Sequence, residues 1–99
     1  MTARFLSVAE AEFSDAAAFY EDQDQGLGEI FIEHIIRSIG YIERNPLAST
    51  LIDRRVRKAS LQKFPYSIIY YLSESELVIV AVAHHKRRPD YWHDRIGSL

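Results

Sequence analysis

The sequence predicts an α+β domain of order β-α-α-β-β-β, an antiparallel sheet with an N-terminal helical hairpin packed on one face. Three observations predict it. Apolar residues recur at helical spacing up to Asn45-Pro46 and at strand spacing after it. Two runs rich in β-branched and aromatic residues, 66–72 and 77–83, are separated only by Ser73-Glu74-Ser75-Glu76, a link short enough to make them an antiparallel hairpin. The two helical stretches are joined by only a few residues, which folds them back on each other.

Residues 4–8 read as a short first strand with Phe5 and Leu6 as its apolar members. Ser7-Val8-Ala9-Glu10 has the form of a capping box, so a helix is expected to start there. Phe13, Ala16, Ala17 and Tyr20 supply its apolar face, and Asp24-Gln25-Gly26 breaks it. Its acidic residues Glu10, Glu12, Asp15, Glu21 and Asp22 read as a solvated surface. The second helix spans 27–44, with Leu27, Ile30, Phe31, Ile35, Ile39 and Ile42 in one stripe. Asn45-Pro46 stops it. Residues 54–59 read as a polar-faced strand, 66–72 as a core strand and 77–83 as its neighbour. Pro89 ends the strand region, and one helical turn is expected over 91–96. With no repeat, low-complexity stretch or linker, residues 1–99 read as a single domain.

Apolar residues at 47% and charged residues at 26% exclude a disordered chain. The absence of cysteine excludes disulfides and thiolate metal sites. No apolar run approaches the ~18 residues that span a bilayer, so no membrane role is expected. Met1-Thr2-Ala3-Arg4-Phe5 lacks the apolar core of a signal peptide, and a cytoplasmic location is the expectation. The net charge of −2 is unevenly spread. Residues 1–50 hold three Lys or Arg against nine Asp or Glu, and residues 51–99 hold nine against five. Such a basic half can attract anions locally.

The strand at 77–83 delivers His84-His85-Lys86-Arg87-Arg88-Pro89-Asp90-Tyr91-Trp92-His93-Asp94-Arg95 to one place. Imidazoles can move protons, guanidiniums can hold phosphates or stabilise phosphoryl charge, and aromatics can stack on bases. His84 and His85 alternate faces, so at most one joins a site. Trp92 reads as an anchor of the tail. A second cationic group is Arg54-Arg55-Val56-Arg57-Lys58, with Lys63 nearby. On a strand, Arg55 and Arg57 share one face and Lys58 takes the other. The His and carboxylate spacing fits no metal site, and the four glycines build no phosphate-binding loop, so neither metal nor cofactor is expected.

Taken in order, these segments resemble the RelE/ParE superfamily, the toxin component of bacterial type II toxin–antitoxin modules. The resemblance runs through Ala9–Glu21, Leu27–Ile35, Ile42 with Asn45-Pro46, Val56–Leu72 and Val78–Arg95. Its most specific part is FPY-x-I-x-Y at 64–70 followed by H-x-x-R-x-P-x-Y-W-x-x-R at 84–95. It implies the fold derived above and two alternative activities, with a catalytically inactive binding module of the same fold as a third reading. RelE-like members are metal-free endoribonucleases that cut messenger RNA, often on the ribosome; ParE-like members inhibit DNA gyrase. The ribonuclease reading takes precedence on the sequence. It makes Arg57, His84, His85, Arg87 and Tyr91 the candidate catalytic residues, with Arg55, Lys58, Lys63 and Arg88 binding nucleic acid. Ser67 opposes it, because a cation often follows the aromatic of the central strand in such enzymes. Either activity implies a cognate antitoxin whose extended amphipathic segment wraps the toxin.

Overall fold

A computed structural model describes residues 1–99. The chain runs β1 (Ala3–Phe5), α1 (Ser7–Gln23), α2 (Leu27–Arg44), β2 (Thr50–Asp53), β3 (Val56–Ser60), β4 (Tyr66–Leu72) and β5 (Leu77–His84), then a 3₁₀ helix at His93–Ser98. The strands form one sheet of order β1-β5-β4-β3-β2.

The two helices pack on one face of this sheet. Phe31, Ile35 and Ile42 of α2 are fully buried against Ile68, Tyr70, Leu77 and Ile79. Fully burying a side chain of this size contributes about 1.5–3 kcal/mol. An aromatic cluster closes one end of the layer, with Phe64 centred 5.0 Å from Tyr20 and 5.1 Å from Phe31. The opposite face carries a smaller core of Val56, Ile69, Val80, Ala81 and Ala83, covered by Trp92 of the tail.

Five expectations need correction. The sheet is mixed: β1 pairs with β5 in parallel, Ala3 opposite Leu77 and Phe5 opposite Ile79. The first strand is three residues long, because the chain enters α1 at Ser7, where Leu6 takes the N-cap position and no side chain caps the helix. Ser7 is already helical, so the capping box does not form. Thr50–Asp53 is an additional edge strand, antiparallel to β3. Arg54 and Arg55 lie in the turn between β2 and β3 rather than on a strand.

Glu21 is likewise not a free surface acid. Its carboxylate accepts the backbone N–H groups of Gly26 at 3.0 Å and Gly28 at 3.1 Å, which satisfies donors at the start of α2. Gly26 has φ +90°, a left-handed turn that lets the second helix double back.

Register decides what reaches the site. A bulge in the β4–β5 ladder, at Ile69/Tyr70 opposite Val80, places Val80 and Ala81 together on the tail side. Beyond Ile79, β5 has no strand on its outer edge.

Candidate functional site

The tail after β5 folds over the sheet and leaves a groove of about 540 Å³. Its floor comes from β3 and β4 and its wall from 84–93. Lys58, Ser60, Ser67, His85 and Arg87 contribute polar groups to it, with Arg88 and the carboxylates Asp53 and Asp90 also in the lining.

Ser67 is the one polar residue in the buried set, at 3% exposure. It is opposite Ser60 across the β3–β4 ladder. Their hydroxyls are 2.9 Å apart, and the Ser67 Oγ is 3.1 Å from His85 Nε2. A three-member polar chain therefore runs from exposed Ser60 through buried Ser67 to the imidazole. The backbone N–H of His85 also donates to the Pro65 carbonyl at 2.8 Å, which fixes the residue in the turn after β5.

His84 points elsewhere. Its ring packs edge-on against Tyr66 at 5.0 Å, and its Nδ1 accepts the Lys86 N–H at 3.0 Å. The two histidines thus differ in surroundings, as strand alternation implies, although residue His84 still borders the groove.

Tyr91 and Arg87 form the wall. The Arg87 guanidinium lies 3.8 Å above the Tyr91 ring, a cation–π contact. The Tyr91 hydroxyl donates to Glu12 Oε2 at 2.8 Å. Burial pushes the phenol well above its ordinary range, and the Glu12 bond and charge add to that against the opposing guanidiniums of Arg95 and Arg87. Glu12 also receives Arg95 through two bonds, at 2.9 and 3.0 Å.

This carboxylate–guanidinium pair closes the open edge of β5. The Val82 N–H donates to Glu12 Oε1 at 3.0 Å, and the Val80 carbonyl accepts from Arg95 Nη1 at 2.9 Å. Two side chains replace the strand that β1 is too short to provide. Glu12, on a helix face whose sequence reads as solvated surface, is instead the anchor of the tail. A signal was present: Ala9, Glu12, Phe13 and Ala16 fall at i, i+3, i+4 and i+7, on the stripe that the helix buries.

The basic strand divides. Lys58 faces the groove. Arg57 does not: its Nη1 donates to the carbonyls of Leu47 at 3.1 Å and Ser49 at 2.8 Å. The Tyr70 hydroxyl, from the residue paired with Arg57, donates to the Pro46 carbonyl at 2.7 Å. Together they hold the loop that follows α2. Arg55 is exposed in the β2–β3 turn, and its carbonyl accepts the Leu72 N–H at 2.8 Å. Arg88 pairs with Asp90 at 3.1 Å on the exposed rim. Lys63 lies in a second groove, beside α2. Trp92 is buried at 4% exposure, its indole N–H donating to the Pro89 carbonyl at 2.9 Å. No three His, Cys, Asp or Glu side chains converge as a metal site would require. No helix is long and apolar enough to cross a membrane.

Comparison with known proteins places this geometry in context. A family model described as "ParE toxin of type II toxin-antitoxin system, parDE" matches residues 3–89. Among solved structures, a chain from "Chromosomal ParDE TA system from P. aeruginosa" matches with a TM-score of 0.68 at 14% sequence identity. The alignment covers 85% of this chain and 95% of that one, and at such identity it speaks for the fold. A search of curated protein sequences returned no match.

Proposed function

We propose that this chain, which belongs to the ParE toxin family of type II toxin–antitoxin systems, arrests growth by binding DNA gyrase rather than by cutting RNA. One observation carries the choice of target: groups on which RNA cleavage would depend are used by the fold. The Tyr91 hydroxyl is given to Glu12, and the Arg57 guanidinium to two loop carbonyls. Ser67 supplies no charge where a cation would neutralise the phosphate. What remains in the groove is Lys58 and Arg87 beside the Tyr91 and Trp92 wall, with Arg88 paired to Asp90 and Asp53 also in the lining, a surface suited to binding a partner.

The family also implies an antitoxin. The outer edge of β2 supports that reading: Leu47, Leu51 and Ile52 are exposed on or beside an unpaired strand edge, and Ile52 borders the groove. An extended amphipathic segment would bury those side chains, pair the strand edge and reach the groove at once.

A metal-free ribonuclease is the second reading, favoured by the Ser60–Ser67–His85 chain beside Lys58. The test uses purified protein in a gyrase supercoiling assay, run beside a messenger RNA substrate. Inhibited supercoiling with intact RNA supports the proposal; cleaved RNA with normal supercoiling overturns it.

A further inference from the structure

We infer that the groove beside α2 and the groove under the tail form one continuous track for a nucleic-acid single strand, with the α2 half as an additional binding site. The inference does not rest on the gyrase reading.

The α2 groove measures about 510 Å³ and lies between that helix and the β3–β4 loop. His34, Arg37, Tyr41 and Arg44 line it from the helix, at i, i+3, i+7 and i+10, and Lys63 faces them from the loop. This stripe is distinct from the apolar one that α2 buries. The groove lining contains no acid, although residues 1–50 hold nine of them. The ion pairs of the molecule leave out Arg37, Arg44 and Lys63. Gathering three uncompensated cations opposes folding through repulsion, so an anionic ligand is the natural counterpart.

Ser60 borders both grooves. The tail-side groove holds Lys58, His85, Arg87 and Arg88 beside Asp53 and Asp90, so the acid-free half of the track is the α2 groove, which continues from it around the end of β3. The path passes from one face of the sheet to the side that carries the helices. A duplex, with a persistence length of about 150 base pairs, does not follow such a corner, whereas a single strand does.

The lining also separates nucleic acid from an acidic peptide. Tyr41 is 52% exposed and sits between Arg37 and Arg44 on one helix face, an aromatic among guanidiniums. That combination stacks bases while holding phosphates. Leu61 is the only aliphatic side chain of the α2 groove, so it offers little to the apolar residues of a peptide.

The experiment is fluorescence anisotropy of the full chain with short labelled oligonucleotides of mixed sequence, as single-stranded RNA, single-stranded DNA and duplex. Single strands should bind, with affinity falling as salt rises. The Arg37→Ala/Arg44→Ala variant should reduce the slope of log affinity against log salt by about 1.4, or about 0.7 per phosphate contact, and Lys58→Ala by about 0.7. Tyr41→Leu should weaken binding about 5- to 150-fold, the range for losing one stacked base. If the double variant loses its helical circular dichroism, Arg44→Gln alone should reduce the slope by about 0.7. Comparing the RNA and DNA arms shows which single strand the track prefers. Absent binding at low salt, a slope unchanged by the α2 variants, equal binding of duplex, or tighter binding of polyglutamate would each overturn the inference.

Discussion

Arg95 and Glu12, 83 positions apart in the chain, meet in a two-bond pair that caps the uncovered edge of β5. Both side chains are 17% exposed. Removing one partner leaves the other charge largely desolvated, together with an unpaired edge group of Val80 or Val82. Arg95→Ala should therefore destabilise the protein by about 2–4 kcal/mol, after discounting for partial exposure. For a domain of this size that lowers Tm by about 10–25 °C. Arg4→Ala, which breaks the exposed pair with Glu76, serves as the control and should cost below about 1 kcal/mol. Calorimetry giving equal shifts for the two variants would refute the edge-capping role.

The same network makes the protein alkali-sensitive through Tyr91. Its folded-state pKa is raised above that of the unfolded chain, so the neutral phenol contributes stability. That contribution is fully present below the ordinary phenol pKa of about 10 and is lost as pH rises through the folded-state value. Burial also raises Tyr20 and Tyr66, so these two should titrate late together with Tyr91. In Tyr91→Phe, a spectrophotometric phenol titration should lose one late-titrating group, and the alkaline fall in Tm should become shallower. An unchanged late fraction contradicts the Glu12 hydrogen bond.

Legibility in the sequence follows from how local each feature is. The stripe from Leu27 to Ile42 and the apolar runs of β4 and β5 declare themselves, because periodicity and burial coincide there. Thr50–Asp53 does not: all four residues are exposed, so an edge strand with no buried face leaves no pattern to find. The parallel pairing of β1 is a property of chain path, which short links do not determine once two helices intervene. An unbroken strand would put Arg55 and Arg57 on one face, but the β2–β3 turn consumes Arg54 and Arg55. Arg57 then falls on the loop side and leaves Lys58 facing the groove. Lys63 reads as part of the same cluster, yet the loop that carries it faces α2. Ser67 stood out only as a missing charge; its place between Ser60 and His85 depends on cross-strand register, which no local spacing encodes.

The start of α2 gives a third prediction. A Cβ added at Gly28 would stand 2.7 Å from the Ala17 carbonyl oxygen, so the two helix backbones must separate. Gly28→Ala should cost about 1–3 kcal/mol, as overpacking between close elements does. At Gly26 a Cβ meets nothing, and the penalty comes from its φ of +90° alone, about 1–2 kcal/mol for alanine. Asparagine tolerates that left-handed backbone, so Gly26→Asn should recover part of the loss, whereas no side chain rescues position 28. Denaturant unfolding of the three variants checks the ordering. Recovery by a larger residue at 28 would contradict the close helix approach.

The last prediction separates target binding from RNA cleavage within one set of variants. Arg87 is exposed, stacked on Tyr91, and projects into the groove. His85 is the imidazole at the end of the Ser60–Ser67 chain. If toxicity arises from gyrase binding, Arg87→Glu places a repulsive charge on the binding surface and should lower toxicity and supercoiling inhibition together. Removing an imidazole that moves no proton should alter them little, so His85→Ala should remain toxic. If toxicity arises from cleavage, an imidazole acting as acid or base is worth about 10²–10⁴-fold in rate, and His85→Ala should be nearly harmless. Both variants change exposed side chains and should keep the stability within about 0.5 kcal/mol of the parent. Growth after induction, supercoiling of a reporter plasmid and sequencing of RNA 5′ ends are then read from the same cultures. A toxic His85→Ala with intact messages and blocked supercoiling is the expected result. A harmless His85→Ala, with new message ends in the parent and none in the variant, would transfer the activity to RNA.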